Sequence, residues 1–413
     1  MEVVNMVVDL GIVMPVYKQK PEFLEAALQS VLNQTFQQFK FMIVIDGAPE
    51  MEPLIRSIIG DDHRVNIISY EQNQGVPHAL NTGFSELYKD KNIEFLTWVS
   101  SDNVYRPIFL EIMYTALKNG PDELGVVYSS FQSIDNHNQP LHDERALAAL
   151  RNFQGKPKEA LLDSSIIGVS FMYKAKYAKM VVGGYSLAPI EDYDYWLKLT
   201  DFCEIKYIPI ELMDYRVDST FSVSSQLKTI EAHRKWRHAY HLTRHNTRVR
   251  RGIPIEITFL FLLSEATTEA VARIEDLYEQ VFSNYICHVI DLSEDYQVTT
   301  ILQQIPHPCT MFEWLPTWDK TTAALYTAKK INTPYTMLLD LNPFDYVMNT
   351  QVLYDELRRA DESIWSTYYN KDNRAIGYRN DHVLAPMQTN ELFRTPKLVY
   401  FLEEKMMKLG EKL

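Results

Sequence analysis

Short apolar runs alternate with amphipathic helical stretches over the first 134 residues, and one run stops at an isolated carboxylate. Strand patterns at residues 7–17, 41–45, 67–70 and 95–99 are separated by helical patterns, two of which span 21–32 and 76–87. The first helix opens at Pro21 with Glu22 in its first turn, and Leu24, Ala27, Leu28, Val31 and Leu32 follow helical spacing. Strands and helices in this order fold as βαβ units around a parallel sheet. The run from Phe95 ends at Ser100-Ser101-Asp102-Asn103, in a turn closed by Pro107. Such a strand delivers its carboxylate to the carboxyl edge of the sheet, where open α/β folds bind ligands. Tyr17 and Asp46 follow two other strands and reach the same edge.

Bulk properties narrow the class. A chain of 413 residues with 46% hydrophobic residues has material for two or three domains. A net charge of −13 argues against a general nucleic-acid binder. Cys203, Cys287 and Cys309 are odd in number and far apart, which excludes a disulfide framework and a cysteine zinc cluster. The longest apolar run, residues 257–263, falls far short of the roughly 20 residues of a membrane span. With a strand pattern near the start and no leader expected, these features predict a cytoplasmic protein, at most peripheral to a membrane or an assembly complex.

Several motifs occur in a fixed order. They are Pro15-x-Tyr17, Asn33-Gln34-Thr35-Phe36, Ile43-Val44-Ile45-Asp46-Gly47 and Asn73-x-Gly75-x-x-x-Ala79-x-Asn81-x-Gly83. Together they resemble the nucleotide-binding half of the family 2 glycosyltransferases, inverting enzymes of GT-A fold. The segment from Ser101 to Pro107 is similar to the spore-coat polysaccharide type. The resemblance covers roughly residues 8–225. It implies a donor site at Pro15, Tyr17, Asp46, Ser101 and Asp102. Tyr17 would stack on a uracil-type base and Asp46 would accept from its edge. Asp102 would be the surviving member of an Asp-x-Asp motif that holds Mn²⁺ or Mg²⁺ on the diphosphate.

The resemblance also exposes departures. Ser100 occupies the motif's first Asp position, Ser101 stands where some relatives carry another Asp, and Leu80 replaces a helix-side Arg. One carboxylate in place of two or three predicts a metal that arrives with the nucleotide. Downstream, Glu191-Asp192-Tyr193-Asp194 opens an amphipathic helix and resembles the family's base segment, which makes Asp192 the catalytic base. A helix N-terminus favours the charged carboxylate. Tyr215-Arg216-Val217-Asp218 resembles the family's closing Tyr-Arg-x-His segment. Asp218 stands at the His position and is a second candidate metal ligand.

Residues 226–252 read as a basic helical connector, with eight Lys/Arg against Glu231 and His238, His241 and His245 on one face. A solvated face is the simpler reading of that helix. Residues 253–413 repeat the pattern of the first half, with Ser264 in place of the base platform and Asn342 opposite Asp102. The expected architecture is therefore a GT-A α/β domain over 1–225 followed by a smaller, degenerate GT-A-like α/β domain. Packing, homodimerisation and acceptor docking are the roles open to the second domain. The expected function is transfer of a sugar from a UDP- or dTDP-linked donor to a hydroxyl of a glycan or surface acceptor. The alternative is a weak or inactive nucleotide- or glycan-binding scaffold. A nucleotidylyltransferase would need a Gly-rich basic first loop, which Met14-Pro15-Val16-Tyr17-Lys18 does not supply.

Overall fold

The computed structural model describes residues 8–217, 219, 227–370, 375–380 and 385–410, with side chains of the last helix to 407. The chain divides into two units, Met1–Ala239 and Tyr240–Leu413. The first unit contains β1 (Leu10–Val16), β2 (Phe39–Asp46), β3 (Val65–Tyr70), β4 (Phe95–Trp98), β5 (Val104–Tyr105), β6 (Leu124–Ile134), β7 (Phe171–Lys174) and β8 (Glu204–Arg216). These form one sheet in the order β3-β2-β1-β4-β7-β6-β8-β5. β1 to β4 are parallel, and β7 runs antiparallel between β4 and β6. The helices are α1 (Pro21–Leu32), α2 (Glu52–Ile59), α3 (Val76–Leu87), α4 (Phe109–Lys118), α5 (Glu144–Gln154), α6 (Ala175–Ala178) and α7 (Glu191–Leu199). α8 (Ile230–Arg251) contains the division between the units.

Burial explains why β1 and β2 read as unbroken apolar runs. Helices cover both faces of a central parallel strand, so neither face needs polar residues. Every residue of β1 is buried except Pro15, whereas the edge strand β3 holds no buried residue. α3 lies so close to the sheet that a Cβ on Gly83 would stand 2.6 Å from Val13 Cγ1.

Residues 141–165, which read as a loop or short helix, contain the three-turn α5, capped by the Asp143 side chain on the Ala146 N–H. Gln154 is its one fully buried residue. The apolar run 166–173, which reads as one strand, forms only β7, because the chain turns at Gly168 in the left-handed region, at φ 70°. The solvated reading of the basic helix also fails in part. Arg237, His241, Arg244 and Arg248 of α8 are buried, and Arg248 donates to the Ser283 carbonyl at 3.0 Å and hydroxyl at 2.8 Å.

The second unit contains β9 (Ile257–Leu263), β10 (Tyr285–Asp291), β11 (Thr310–Trp314), β12 (Tyr335–Leu339), β13 (Ile364–Asn370), β14 (Ala375–Asn380) and β15 (Leu392–Arg394). Its helices are α9 (Thr268–Tyr278), α10 (Gln297–Leu302), α11 (Lys320–Ala328), α12 (Asn349–Arg359) and α13 (Thr395–Gly410). The order β11-β10-β9-β12-β15-β13-β14 matches β3-β2-β1-β4-β7-β6 strand for strand over six positions, including the antiparallel β15. One glutamine contact recurs as well. Gln34 donates to the Arg106 carbonyl and accepts from the Leu110 N–H. Gln280 donates to the Tyr346 carbonyl and accepts from the Thr350 N–H. Each side chain accepts from a backbone N–H in the first turn of a following helix, where that donor has no partner within the helix. The second unit is an α/β repeat of the first.

Candidate active site

The site is built at the carboxyl ends of β1, β2 and β4. Tyr17 leaves β1 with its side chain partly in solvent, 39% exposed. That suits a ring offered to a ligand. Pro15 lies opposite Val44 of β2 but beyond the last β4 pair, Val13–Trp98. Its missing N–H therefore costs no ladder bond on the β4 side.

Asp46 is buried at the end of β2, where it organises the loop that leads into α3. Its two carboxylate oxygens accept from the Gln74 N–H at 2.7 Å and the Gly75 N–H at 2.8 Å. Gly47 makes this possible. It sits at φ 71°, and a Cβ there would stand 2.1 Å from the Asn73 nitrogen. Asp46 thus already has a structural task, and only its remaining lone pairs can meet a base. Its charge also helps burial raise the Tyr70 phenol to about 12. Asn81 is structural too. It donates to the Tyr185 carbonyl at 2.8 Å and accepts from the Tyr185 N–H at 2.9 Å. That pair ties α3 to the loop ahead of α7.

Asp102 is 8% exposed. Its carboxylate accepts from the Ser100 hydroxyl at 2.8 Å and the Ser219 hydroxyl at 2.6 Å. Ser101 accepts a long contact from Gln19 at 3.5 Å. The loop is held from below by Arg216, at the end of β8. Arg216 donates from Nε to the Asp102 carbonyl at 3.1 Å, from Nη1 to the Asp135 carbonyl at 2.7 Å and from Nη2 to Asn138 at 2.6 Å. Its guanidinium lies 3.9 Å from the Phe23 ring centroid. Sequence reasoning gave Arg216 no role of its own; the signal was its place beside Asp218 in the closing motif. Asp218 itself lies outside the described residues.

Asp192 stands at the second position of α7. The expectation that the helix end keeps it charged is corrected. Burial raises its proton affinity well above the carboxylate range, the neighbouring Glu191 raises it further, and the Trp98 indole N–H opposes both. Burial also raises Glu191. Desolvation and a second carboxylate outweigh the helix end. Asp192 Oδ1, Glu191 Oε2 and Trp98 Nε1 are all buried, and the indole N–H lies near enough to Asp192 to act on its charge but short of hydrogen-bond geometry. Burial raises the Tyr105 phenol, and Asp102 and Asp192 both lie near enough to add to that rise; the phenol oxygen accepts the Ser100 N–H at 3.0 Å. Asp194, the other acid of the segment, is engaged by Ser186 at 2.9 Å and Lys198 at 2.6 Å.

The donor set around Asp102 is one carboxylate and two hydroxyls. Among the described residues no group of three or more His, Cys, Asp or Glu could hold a metal ion. These oxygens suit a hard cation that shares its coordination with phosphate and water, and they are too few to hold one alone.

The second unit keeps the frame without these residues. β1 starts opposite Phe39 and Phe95, and β9 starts opposite Tyr285 and Tyr335. Counting from these starts, Tyr17 corresponds to Ser264, Asp46 to Leu292 and Asp102 to Asn342. Asp291, the last residue of β10, lies one residue before the position that corresponds to Asp46. It accepts from the Thr299 N–H and hydroxyl, each at 2.8 Å, inside the fold.

Comparison with known proteins points to a family for the first unit. The family model for glycosyl transferase family 2 matches residues 11–181. An uncharacterized glycosyltransferase of Rickettsia conorii is 26% identical over 192 residues, 46% of this chain and 31% of that protein. One of Methanocaldococcus jannaschii is 24% identical over 222 residues, 53% of this chain and 74% of that protein. The matched segment thus spans under a third of the first relative's length. S. aureus TarS in complex with UDP-GlcNAc is a structural likeness at 12% identity, covering 58% of this chain and 66% of that one, with a TM-score of 0.45. Strand order, motif sequence and family model thus agree in likening residues 11–181 to a glycosyltransferase family 2 domain.

Proposed function

We propose that the first unit transfers a sugar, with inversion, from a nucleoside-diphosphate sugar to a hydroxyl of a glycan or surface acceptor. UDP and dTDP sugars are the donor class, with Tyr17 under the base, Asp46 at its edge, and Pro15 and Ser101 lining the donor side. The observation that carries the reading is that Asp102 and Asp192 both lie near Tyr105, beside three buried polar atoms without hydrogen bonds. Unpaired buried groups cost stability and mark where a polar ligand completes the structure.

Asp192 takes the proton of the acceptor hydroxyl. The hydroxyl oxygen bonds to the anomeric carbon as the bond from that carbon to the phosphate oxygen breaks, and the electron pair leaves with the nucleoside diphosphate. Burial of Asp192 makes it a stronger base once ionised. Glu191 Oε2 and the Trp98 N–H are placed to bond the acceptor or the donor sugar. Asp102 would hold Mn²⁺ or Mg²⁺, with Asp218 as a second oxygen ligand; when bound, the ion offsets charge on the departing diphosphate. The named M. jannaschii and Rickettsia relatives are described as glycosyltransferases, which supports the class and leaves the sugar open.

Release of UDP from a panel of UDP sugars, with and without Mn²⁺, tests this in the native chain and in Asp192→Asn. The expected result is Mn²⁺-dependent release that the substitution removes. Release by Asp192→Asn at the native rate would refute the assignment of the base.

A further inference from the structure

At the amino edge of the first sheet, opposite the candidate active site, lies an open cavity of about 820 Å³. Its floor is apolar, with Ile93, Phe95 and Leu117. Five lysines line it: Lys91, Lys118, Lys174, Lys176 and Lys179. Two are neutralised locally. Lys118 pairs with Asp9 at 3.1 Å and Glu94 at 3.5 Å, and Lys176 pairs with Asp122. Lys174 instead donates to the carbonyls of Pro121 and Asp122, at 3.1 and 3.3 Å. Among the described residues, Lys91, Lys174 and Lys179 have no carboxylate within ion-pair distance. Among the described residues, three lysines outside any ion pair thus share one concavity in a chain of net charge −13, with Asp122 and Glu123 acting on Lys174 only from a distance. Burial and the neighbouring Lys176 lower the proton affinity of Lys174, a strain that a bound anion would relieve.

A second cavity of about 430 Å³ shares Lys179 with the first. Aromatic rings line it: Phe84, Tyr88, Tyr185 and Tyr195. Asn81, Phe84, Ser85 and Tyr88 follow helical spacing, so this cavity runs along one face of α3 for about 10 Å. Lys179 marks the change from rings to cations, with its ammonium 5.3 Å from the Tyr88 ring centroid.

We propose that this depression binds an anionic saccharide, a sugar ring against Tyr88, behind which Phe84, Tyr185 and Tyr195 are buried, and phosphate or carboxylate groups against Lys91, Lys174 and Lys179. Charge complementarity selects an anion. Concavity favours a discrete chain over a flat bilayer. Lysines rather than arginines supply point charges that accept anions of varied geometry. Only the choice of a saccharide rests on the glycosyltransferase reading.

The test is calorimetric titration of the full chain with a sulfated heparin hexasaccharide, with maltohexaose as its neutral counterpart. The hexasaccharide should bind, weaken as salt rises, and bind about tenfold or more weakly to Lys91→Glu/Lys179→Glu. Lys228→Glu/Lys235→Glu, which changes charge equally just before and on α8, should bind like the native chain. Tyr88→Ala should weaken binding several-fold. Donor hydrolysis should be native-like in the Lys91→Glu/Lys179→Glu variant, so loss of sugar transfer in the native chain would bear on the active-site reading alone. Absence of binding, or equal loss in both lysine pairs, overturns the proposal. Lys91- and Lys179-dependent binding to phosphatidylserine vesicles without hexasaccharide binding would also overturn it and assign the surface to a membrane.

Discussion

Asp192→Asn should make the protein more stable while removing its activity. In the folded chain burial and Glu191 raise the proton affinity of Asp192. The sign follows from linkage. A carboxyl whose folded pKa lies above its unfolded value of about 3.9 favours folding only while protonated. That contribution is complete below the unfolded pKa and is lost as pH rises through the folded one. At pH 8 the native carboxylate therefore destabilises the fold. Each tenfold rise in proton affinity costs about 1.4 kcal/mol. Recovering about 1.4 kcal/mol raises the melting temperature by about 3–5 °C in a unit of this size. Asparagine keeps the shape, carries no charge, and can accept from the unpaired Trp98 N–H. Melting of both proteins between pH 3 and pH 9 measures the difference, which should be largest at high pH and vanish near pH 3. In parallel, loss of a general base should lower sugar transfer by about 10²–10⁴-fold. A variant less stable than native at pH 8 would refute the burial argument. A stabilised variant that kept native turnover would refute the role of Asp192 alone.

Other outcomes follow from single contacts. Gln34→Ala leaves the Leu110 N–H unpaired, while the Arg106 carbonyl keeps its bond from the Phe109 N–H, so denaturant unfolding should show a loss of about 1–3 kcal/mol. Gln280→Ala should do the same to the second unit. Tyr17→Ala removes an exposed ring at the donor side; UDP affinity by titration should fall about tenfold with little change in stability. Asp102→Asn should raise the Mn²⁺ concentration needed for half-maximal transfer, and an unchanged requirement would exclude Asp102 as the anchor. Gly83→Val forces side-chain atoms against Val13 and should cost about 1–3 kcal/mol in thermal unfolding.

Local periodicity was enough to place α1 and α3, whose observed bounds are the ones the pattern predicts. It also placed β9. In these segments an apolar face must meet a core, so the requirement is written in neighbouring residues. The alternation of strands and helices, and the order of motifs, likewise led to the sheet and to its carboxyl edge. Ser264 and Asn342 already showed that the second half had lost its counterparts of Tyr17 and Asp102. Tertiary structure decided the rest, because the deciding partners are far away in the chain. α5 is half-buried at most apart from Gln154, so its place depends on distant contacts such as the Tyr128 hydroxyl on the Gln154 carbonyl. Arg237 and Arg248 look like solvent-facing charges until distant segments cover them. Asp46 and Asn81 are motif residues whose bonds hold loops at Gln74 and Tyr185, and no local signal separates that task from ligand binding. The charge state of Asp192 turned on burial, on Glu191 and on Trp98, a residue 94 positions away. Helix position alone argued the opposite. Electrostatic free energy depends on what surrounds a charge in space, and that surrounding exists only once the chain has folded.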